Sequence, residues 1–330
     1  MDGAAWAREG WIDWLIASPE WRPSDTDIPI ERWRKLLGPA NKTVRLIAAT
    51  DLWLQGMPGG KVMSDDLQTQ RAFTAAMLDR GADGIYLFNH FNWNDFRRTE
   101  RAADGRTIVR DESLTLLRTA GRLDAALQGP RRHVVTFHHP AAPNMPNPKP
   151  LPALVQVGRH ATFAISAGPR PAAGQAIVRV GLQKKPGIND ARLAAQLNGT
   201  TCQPIADLTN PVSSASSPHD RRRVFHVADV ADRMLQFKAP WDALRRGRND
   251  IQVSLVRGRP QRIIWCELYI APSASILRAP SRKESLFSSS CLRLSWGRQS
   301  PRTPASAAED HRRAPVRADR SICGRPTRRS

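Results

Sequence analysis

The sequence predicts an α/β plus all-β protein: an incomplete (β/α)8 barrel of three βα units, then a β-sandwich, then a disordered tail. Three observations indicate this order. Short apolar runs alternate with helical patterns up to about residue 130, the hydrophobic period changes to two after residue 152, and periodicity is lost after residue 272. The predicted segments are a partial barrel at 1–130, a Pro-rich linker at 131–152, a sandwich at 153–272 and a basic tail at 273–330.

The first segment repeats a strand followed by a helix three times. Strands buried on both faces are predicted at Gly10–Ala17, Val44–Thr50 and Asp83–Asn89. The helices are predicted to begin at Asp27, Ser64 and Asp111 and to end at Gly38, Gly81 and Leu127. No glycine-rich phosphate loop follows any of these strands, which favours a barrel over a dinucleotide-binding sheet. A barrel needs eight units and the chain begins almost directly on a strand, so we expect the C-terminal part of a larger protein.

Four stretches of this segment resemble a known family. EGWIDWLIASPEW, TDIPIERWRKLL, VRLIAATDLWLQG and RGADGIYLFNHF are similar to the last three βα units of bacterial glycoside-hydrolase-like TIM barrels, as in family 10 glycosylhydrolase-like proteins. The resemblance covers about residues 5–130 and implies a carbohydrate-active barrel. It implies neither a particular glycoside nor that one is cleaved.

The loops after the three predicted strands contain the candidate site residues. Active groups of such barrels lie at the carboxyl ends of the strands, and aromatic rings mixed with hydrogen-bonding groups suit a sugar. We predict Asp51 as a catalytic residue. The predicted substrate-binding residues are Trp21, Trp53, Gln55, Asn89, His90 and Trp93.

Each of these residues also has a structural interpretation. Asp51 could cap the loop after its strand, Asn89 and His90 could satisfy loop backbone groups, and the tryptophans could fill the barrel mouth. Glycosidases generally use two carboxyl groups that flank the scissile bond. Because Asp51 alone is well placed here, we expect a second carboxylate in the absent units and no activity from this chain alone.

The second segment alternates apolar and polar residues over seven or eight short runs, which is typical of a sandwich. Asn198-Gly199 predicts a hairpin turn, and Arg223–Ala228 is predicted as one of the strands. ARLAAQLNGT and WDALRRGRNDIQVSLV resemble elements of jelly-roll domains that accompany glycosidases. That resemblance implies either carbohydrate binding or packing against the barrel.

The net charge of +20 suggests a nucleic-acid partner, but its distribution weakens this interpretation. Residues 273–330 contain thirteen Lys or Arg and four Asp or Glu, so nearly half of the excess lies in a tail without apolar periodicity. The sequence has no nucleic-acid motif, no paired Cys and His at metal spacing, and no apolar run that could span a membrane. We therefore predict neither cofactor nor metal, and Met1–Glu20 lacks the apolar core of a signal peptide.

The leading hypothesis is a fragment of a glycoside-hydrolase-like protein that acts on carbohydrate. A carbohydrate-binding or structural sandwich module is the first alternative, and a basic nucleic-acid-binding protein is the second. Localisation and oligomeric state stay open.

Overall fold

The computed structural model describes residues 2–18, 24–90, 97–101, 106–136, 150–210 and 223–273. Its first part alternates short helices and strands. The elements are α1 (Gly3–Arg8), β1 (Trp14–Ala17), α2 (Ile30–Leu37), β2 (Arg45–Thr50), β3 (Trp53–Leu54), β4 (Val62–Ser64), α3 (Leu67–Asp79), β5 (Gly84–Leu87), β6 (Arg97–Arg101), β7 (Thr107–Asp111), α4 (Ser113–Thr119) and α5 (Leu123–Ala126).

The three predicted parallel strands form one parallel sheet in the order β1-β2-β5. Only the central strand β2 is buried along most of its length. The expectation that all three are covered on both faces is wrong, because β1 and β5 are the edges of this sheet and Trp14 and Ile16 of β1 are exposed. The described residues form no closed barrel. Helices α1, α2 and α3 pack on the sheet around a core that includes Leu37, Leu46 and Phe73.

Several predicted boundaries of the helices differ in the structure. Helix α1 precedes the first strand, and α2 begins at Ile30 after Pro29, since the carboxylate of Asp27 pairs with Arg80 at 2.6 Å and does not cap a helix. Helix α3 is capped by Asp66 because Ser64 belongs to strand β4.

The predicted third helix is divided into α4 and α5. The division lies at Gly121, whose backbone φ of 77° is incompatible with a continuing right-handed helix.

The second part is antiparallel. Its strands are β8 (Arg131–Val134), β9 (Ala153–Val155), β10 (His160–Ser166), β11 (Gly174–Leu182), β12 (Arg192–Leu197), β13 (Thr200–Thr201), β14 (Gln203–Leu208), β15 (Arg223–Val224), β16 (Arg233–Ala239), β17 (Arg248–Arg257) and β18 (Gln261–Pro272). Two sheets make the sandwich, a four-stranded sheet in the order β10-β17-β12-β13 and a six-stranded sheet in the order β14-β16-β11-β18-β8, with β9 also paired to β18.

The sandwich core lies between these two sheets. Phe163 and Ile251 contribute from the smaller sheet, and Val178 and Leu268 from the larger one. The predicted hairpin is confirmed: Asn198 and Gly199, with φ of 52° and 82°, connect β12 to β13.

Two strands take places that differ from the predicted ones. The predicted strand Arg223–Ala228 is only two residues long, and it pairs in parallel with β4 in a small sheet of order β15-β4-β3. Strand β8 lies in the predicted linker and pairs with β18, because its backbone completes the edge of the six-stranded sheet.

The described residues as far as Ser273 belong to one compact unit, and the boundaries at 130, 152 and 272 stay predictions. No described helix is long and apolar enough to cross a membrane. The tail after Ser273 lies outside the described residues.

A buried ion cluster joins α3 to the six-stranded sheet, on the face opposite the sandwich core. Arg132 of β8 donates to both carboxylate oxygens of Glu267, at 3.3 and 2.7 Å, and to Asp66 at 3.1 Å. Arg179 of β11 donates to the other side of Glu267 at 2.7 Å, and the indole of Trp265 donates at 3.1 Å. Burial alone would raise the pKa of Glu267, but the two arginines outweigh it and lower that pKa.

We expect Arg132→Met to lower the free energy of unfolding by about 3–5 kcal/mol, because it leaves two buried carboxylates with fewer partners. Urea unfolding followed by circular dichroism measures this change. Arg122→Met is the matched control, since Arg122 pairs with Asp124 at an exposed site where such a pair contributes about 0–1 kcal/mol. Equal stability losses in the two variants would contradict this account.

Candidate functional site

The carboxyl ends of β2 and β5 bring two predicted site residues together. The strands are parallel neighbours with Thr50 opposite Leu87, and Asp51 and Asn89 follow them closely. The Asn89 side-chain amide donates to the Asp51 carboxylate at 3.4 Å. Asn89 has a φ of 57°, a left-handed conformation that Asn tolerates better than most residues and that lets the chain turn directly after β5.

The Asp51 carboxyl group is half-buried at this strand end. Burial raises its pKa, although hydrogen bonds from the Leu52 backbone, at 2.6 Å, and from Asn89 act in the opposite direction. The backbone of Asp51 is held by Ser24, which accepts from its N–H at 2.8 Å and donates to its carbonyl oxygen at 2.9 Å. Asp51 therefore has a fixed backbone and a carboxylate that is partly accessible.

His90 is directed into the protein and is only 6% exposed. Its Nδ1 lies 2.8 Å from the Phe88 carbonyl oxygen, which can only accept, so Nδ1 carries a proton. In neutral His90 the Nε2 atom then accepts from the Gln70 amide at 3.2 Å. His90 also lies 3.9 Å from the carboxylate of Asp65.

Asp65 is a buried carboxyl group, 2% exposed, that was not predicted as a site residue. It accepts from the Thr69 hydroxyl, from the Gln70 amide and from the Asp66 N–H. Burial raises the pKa of Asp65 to about 7 despite these hydrogen bonds. Near neutral pH the protonated and the ionised forms of Asp65 are therefore both populated.

Gln70 connects this buried carboxyl to the strand end. Its amide nitrogen lies 3.3 Å from the Thr50 hydroxyl, which shares a 2.8 Å hydrogen bond with Ser24. The two hydrogens of this amide are shared among three acceptors, Asp65, His90 and Thr50, and Thr50 and Ser24 lead on to the backbone of Asp51. The Gln70 Oε1 atom is buried and has no hydrogen-bond partner within the described part of the chain.

Trp53 and Gln55, two predicted contacts in the loop after β2, differ in exposure. Trp53 lies on β3 and is 41% exposed, with the Arg223 guanidinium 5.8 Å from its ring centroid. Gln55 is buried, and its amide donates to the Gly60 carbonyl oxygen at 2.9 Å. This hydrogen bond stabilises the loop that follows β3. A sugar contact by Gln55 stays a prediction. Trp21 and Trp93 lie outside the described residues.

We call Asp51, Trp53 and Asn89 the strand-end rim. It comprises one partly accessible carboxylate, one amide and one exposed aromatic ring, groups of the kinds that bind hydroxyl groups and the apolar face of a ring, and their joint contact with a sugar stays a prediction. Asp65 and His90 lie behind this rim, where their burial prevents direct contact with a large ligand. Within the described ranges, no three His, Cys, Asp or Glu side chains converge as metal ligands.

The residues that sequence reasoning missed are Ser24, Asp65 and Gln70. The sequence contains one signal for them, two consecutive aspartates before α3. A helix needs a single N-cap, and Asp66 fills that role with Gln68 and Thr69 N–H groups at 2.9 Å. Asp65, the other aspartate, is therefore not required as the cap of α3.

A cavity of about 220 Å³ lies between α3 and the sandwich strand β10, away from the strand-end rim. It is lined by Phe73, His133 and Phe163 among others, and by none of the predicted site residues. The Nε2 atom of His133 is buried without a hydrogen-bond partner in the described part of the chain.

The sequence matches no protein-family model and shows no significant similarity to a curated protein. Solved structures show a distant similarity to glycoside hydrolases of family 86. For wild-type BuGH86 in complex with neoagarooctaose the identity is 14% and the TM-score 0.26, over 43% of this chain and 18% of that one. For BpGH86A, a β-porphyranase from the human gut bacterium Bacteroides plebeius, the identity is 12% and the TM-score 0.26, over 65% of this chain and 35% of that one.

The chain thus spans between about a fifth and about a third of the length of these two proteins. The resemblance to family 10 that we predicted from the sequence is not specified by these similarities. At a TM-score of 0.26 they support no argument about the site.

The pH dependence of stability should reveal the buried carboxyl of Asp65. Its folded pKa of about 7 lies above the ordinary value of 3.8, so the folded protein retains a proton that the unfolded chain releases. The contribution of Asp65 to stability therefore falls as the pH rises from about 4 to about 7. We expect Asp65→Asn to remove this loss, so that the variant gains up to about 4 kcal/mol relative to the wild type over that interval.

Urea unfolding of both proteins at intervals from pH 4 to pH 8 measures this difference. Comparing variant with wild type cancels the opposite effect of His133, whose lowered pKa makes stability fall as the pH drops below 6.5. Asp83→Asn is the matched control, at the amino end of β5, where Asp83 accepts from the Leu46 N–H at 2.7 Å. A stability difference for Asp65→Asn that does not change with pH would refute the assignment.

Proposed function

We propose that this chain is a carbohydrate-binding part of a glycoside-hydrolase-like protein and that the strand-end rim contacts the saccharide. The observation that carries the proposal is the pairing of the Asp51 carboxylate with the Asn89 amide at the ends of adjacent parallel strands. A carboxylate accepts and an amide both donates and accepts, which suits neighbouring sugar hydroxyls.

Exposed Trp53 supports the same proposal. Its ring follows Asp51 by two residues, and 41% of its surface remains accessible, enough to stack on the apolar face of a pyranose. The hydrogen bonds of Ser24 hold the Asp51 backbone in place before any ligand arrives, which lowers the entropic cost of binding.

Hydrolysis by these residues alone is not part of the proposal. A glycosidase needs two carboxyl groups facing the scissile bond, about 5–10 Å apart. Asp51 is the accessible carboxyl group among the described residues of the rim, and Asp65 is buried behind it. In this proposal Asp65 and His90 support the rim, and a second catalytic carboxylate belongs to a segment outside the described residues.

Binding of neutral oligosaccharides to the full chain tests the proposal. Calorimetric titration with cellohexaose, xylohexaose and neoagarooctaose should give at least one measurable dissociation constant. Asp51→Asn should raise that constant about tenfold or more, since a hydrogen bond to a charged group contributes about 1.5–3 kcal/mol. Trp53→Ala should raise it by a similar factor, through the loss of stacking on the sugar ring.

Two variants control for nonspecific effects. Asp83→Asn makes the same substitution at the opposite end of the sheet, and Trp14→Ala removes an exposed tryptophan from the other edge. Both should bind as the wild type does. Absence of binding to all three sugars, or equal affinities for Asp51→Asn and wild type, would exclude the proposed site.

A further inference from the structure

A second pocket, of about 220 Å³, lies beside the ion cluster, between the N-terminal end of α3 and the six-stranded sheet. It faces away from the sandwich core. Its lining includes Asp66, Arg132, Arg179, Phe225, His226 and Tyr269. None of these residues belongs to the strand-end rim.

The carboxylates at this pocket are already engaged by the protein. One oxygen of Asp66 accepts from the N–H groups of Gln68 and Thr69 in the first turn of α3, and the other accepts from Arg132 at 3.1 Å. Both oxygens of the nearby Glu267 accept from arginines. Because these carboxylates are paired with arginines, their repulsion of an anion in the pocket is reduced.

Arg179 provides a hydrogen-bond donor in this pocket. Its Nε donates to Gln236 at 3.1 Å and one terminal nitrogen donates to Glu267 at 2.7 Å, while its Cζ lies 4.7 Å from the centroid of the Tyr269 ring. The second terminal nitrogen, Nη2, makes no hydrogen bond to any described residue. The guanidinium is thus held in position by three contacts and retains donor capacity.

Aromatic residues connect the pocket with the strand-end rim. Phe225, which lines the pocket, is 47% exposed, and the Arg223 guanidinium lies 5.2 Å from its ring centroid. The same guanidinium lies 5.8 Å from the ring of Trp53 on the rim. We call Trp53 on the rim and Phe225 at the pocket, both close to the Arg223 guanidinium, the aromatic row.

We infer that this pocket binds a carboxylate-bearing sugar, a uronic acid unit of the saccharide that the strand-end rim binds. The inference rests on the proposed function, because it extends the same saccharide along the row from Trp53 to Phe225. A planar guanidinium matches the geometry of a carboxylate, and an exposed aromatic ring such as Phe225 can stack on the ring of the sugar.

Titration of the full chain with α-1,4-linked pentagalacturonate and with its methyl ester tests this inference. The two probes share one backbone and differ in charge. We expect the acid to bind at least about tenfold more tightly than the ester, because a charge-assisted hydrogen bond is roughly twice as strong as a neutral one.

Arg179→Lys keeps the charge and a partner for Glu267 but removes the planar fork, and it should reduce the preference for the acid to about threefold or less. Phe225→Ala should weaken binding of both probes about tenfold, by loss of stacking. Arg192→Lys and Val256→Ala are the controls, at exposed positions on the other sheet, and should leave both affinities unchanged.

The outcomes separate this inference from the proposed function. Equal binding of acid and ester, or a preference that Arg179→Lys leaves intact, overturns the uronate assignment even if a neutral sugar still binds in an Asp51-dependent manner. Absence of binding to every saccharide overturns both. A preference for the acid that depends on Arg179 supports the assignment.

Discussion

The buried ion cluster around Arg132 positions the elements that carry the strand-end rim and the second pocket. Arg132 bonds Glu267 within the six-stranded sheet and Asp66 at the start of α3, so one guanidinium fixes the helix relative to the sheet. Because Asp66 is also the N-cap of α3, the preceding residue Asp65 is held behind the end of β2. The Asp66 carboxylate therefore anchors the helix, and the Asp65 carboxyl group faces the polar residues beneath the strand-end rim. Burying so many charges is costly unless all are paired, which makes the cluster sensitive to the loss of a single member.

The polar residues beneath the rim form a hydrogen-bonded support rather than a second set of ligand contacts. Ser24 and Thr50 connect the backbone of Asp51 to Gln70, and Gln70 connects to Asp65 and His90. A carboxyl group with a pKa near 7 in this position destabilises the fold at neutral pH relative to a neutral isostere. Proteins tolerate such groups most often at functional sites, where position and protonation matter more than stability.

The rim and the second pocket differ in the groups that they offer a ligand. The rim has an accessible carboxylate and an amide, whereas the carboxylates of the second pocket are paired and the Nη2 group of Arg179 remains available. A neutral sugar is the ligand that we propose for the first, and a sugar acid the one that we propose for the second. The exposed rings of Trp53 and Phe225 both lie close to the Arg223 guanidinium, between the rim and the pocket in the proposed path of the saccharide. The small sheet of β15, β4 and β3 brings these residues together, although more than 150 positions separate β15 from the others in the sequence.

Hydrophobic periodicity was sufficient to predict the three parallel strands and several of the sandwich strands, and the turn residues predicted the Asn198-Gly199 hairpin, because each depends on residues close in sequence. The same local reasoning placed Asp51 and Asn89 at one edge, since neighbouring parallel strands end on the same side. It could not determine that Asp66 rather than Ser64 caps α3, because Ser64 is taken into β4 by pairing with Trp53. Nor could it find the pairing of Arg132 with Glu267, the burial of His90, or β15 beside β4. These features depend on contacts between distant segments, and only the tertiary structure decides which polar groups are removed from water together.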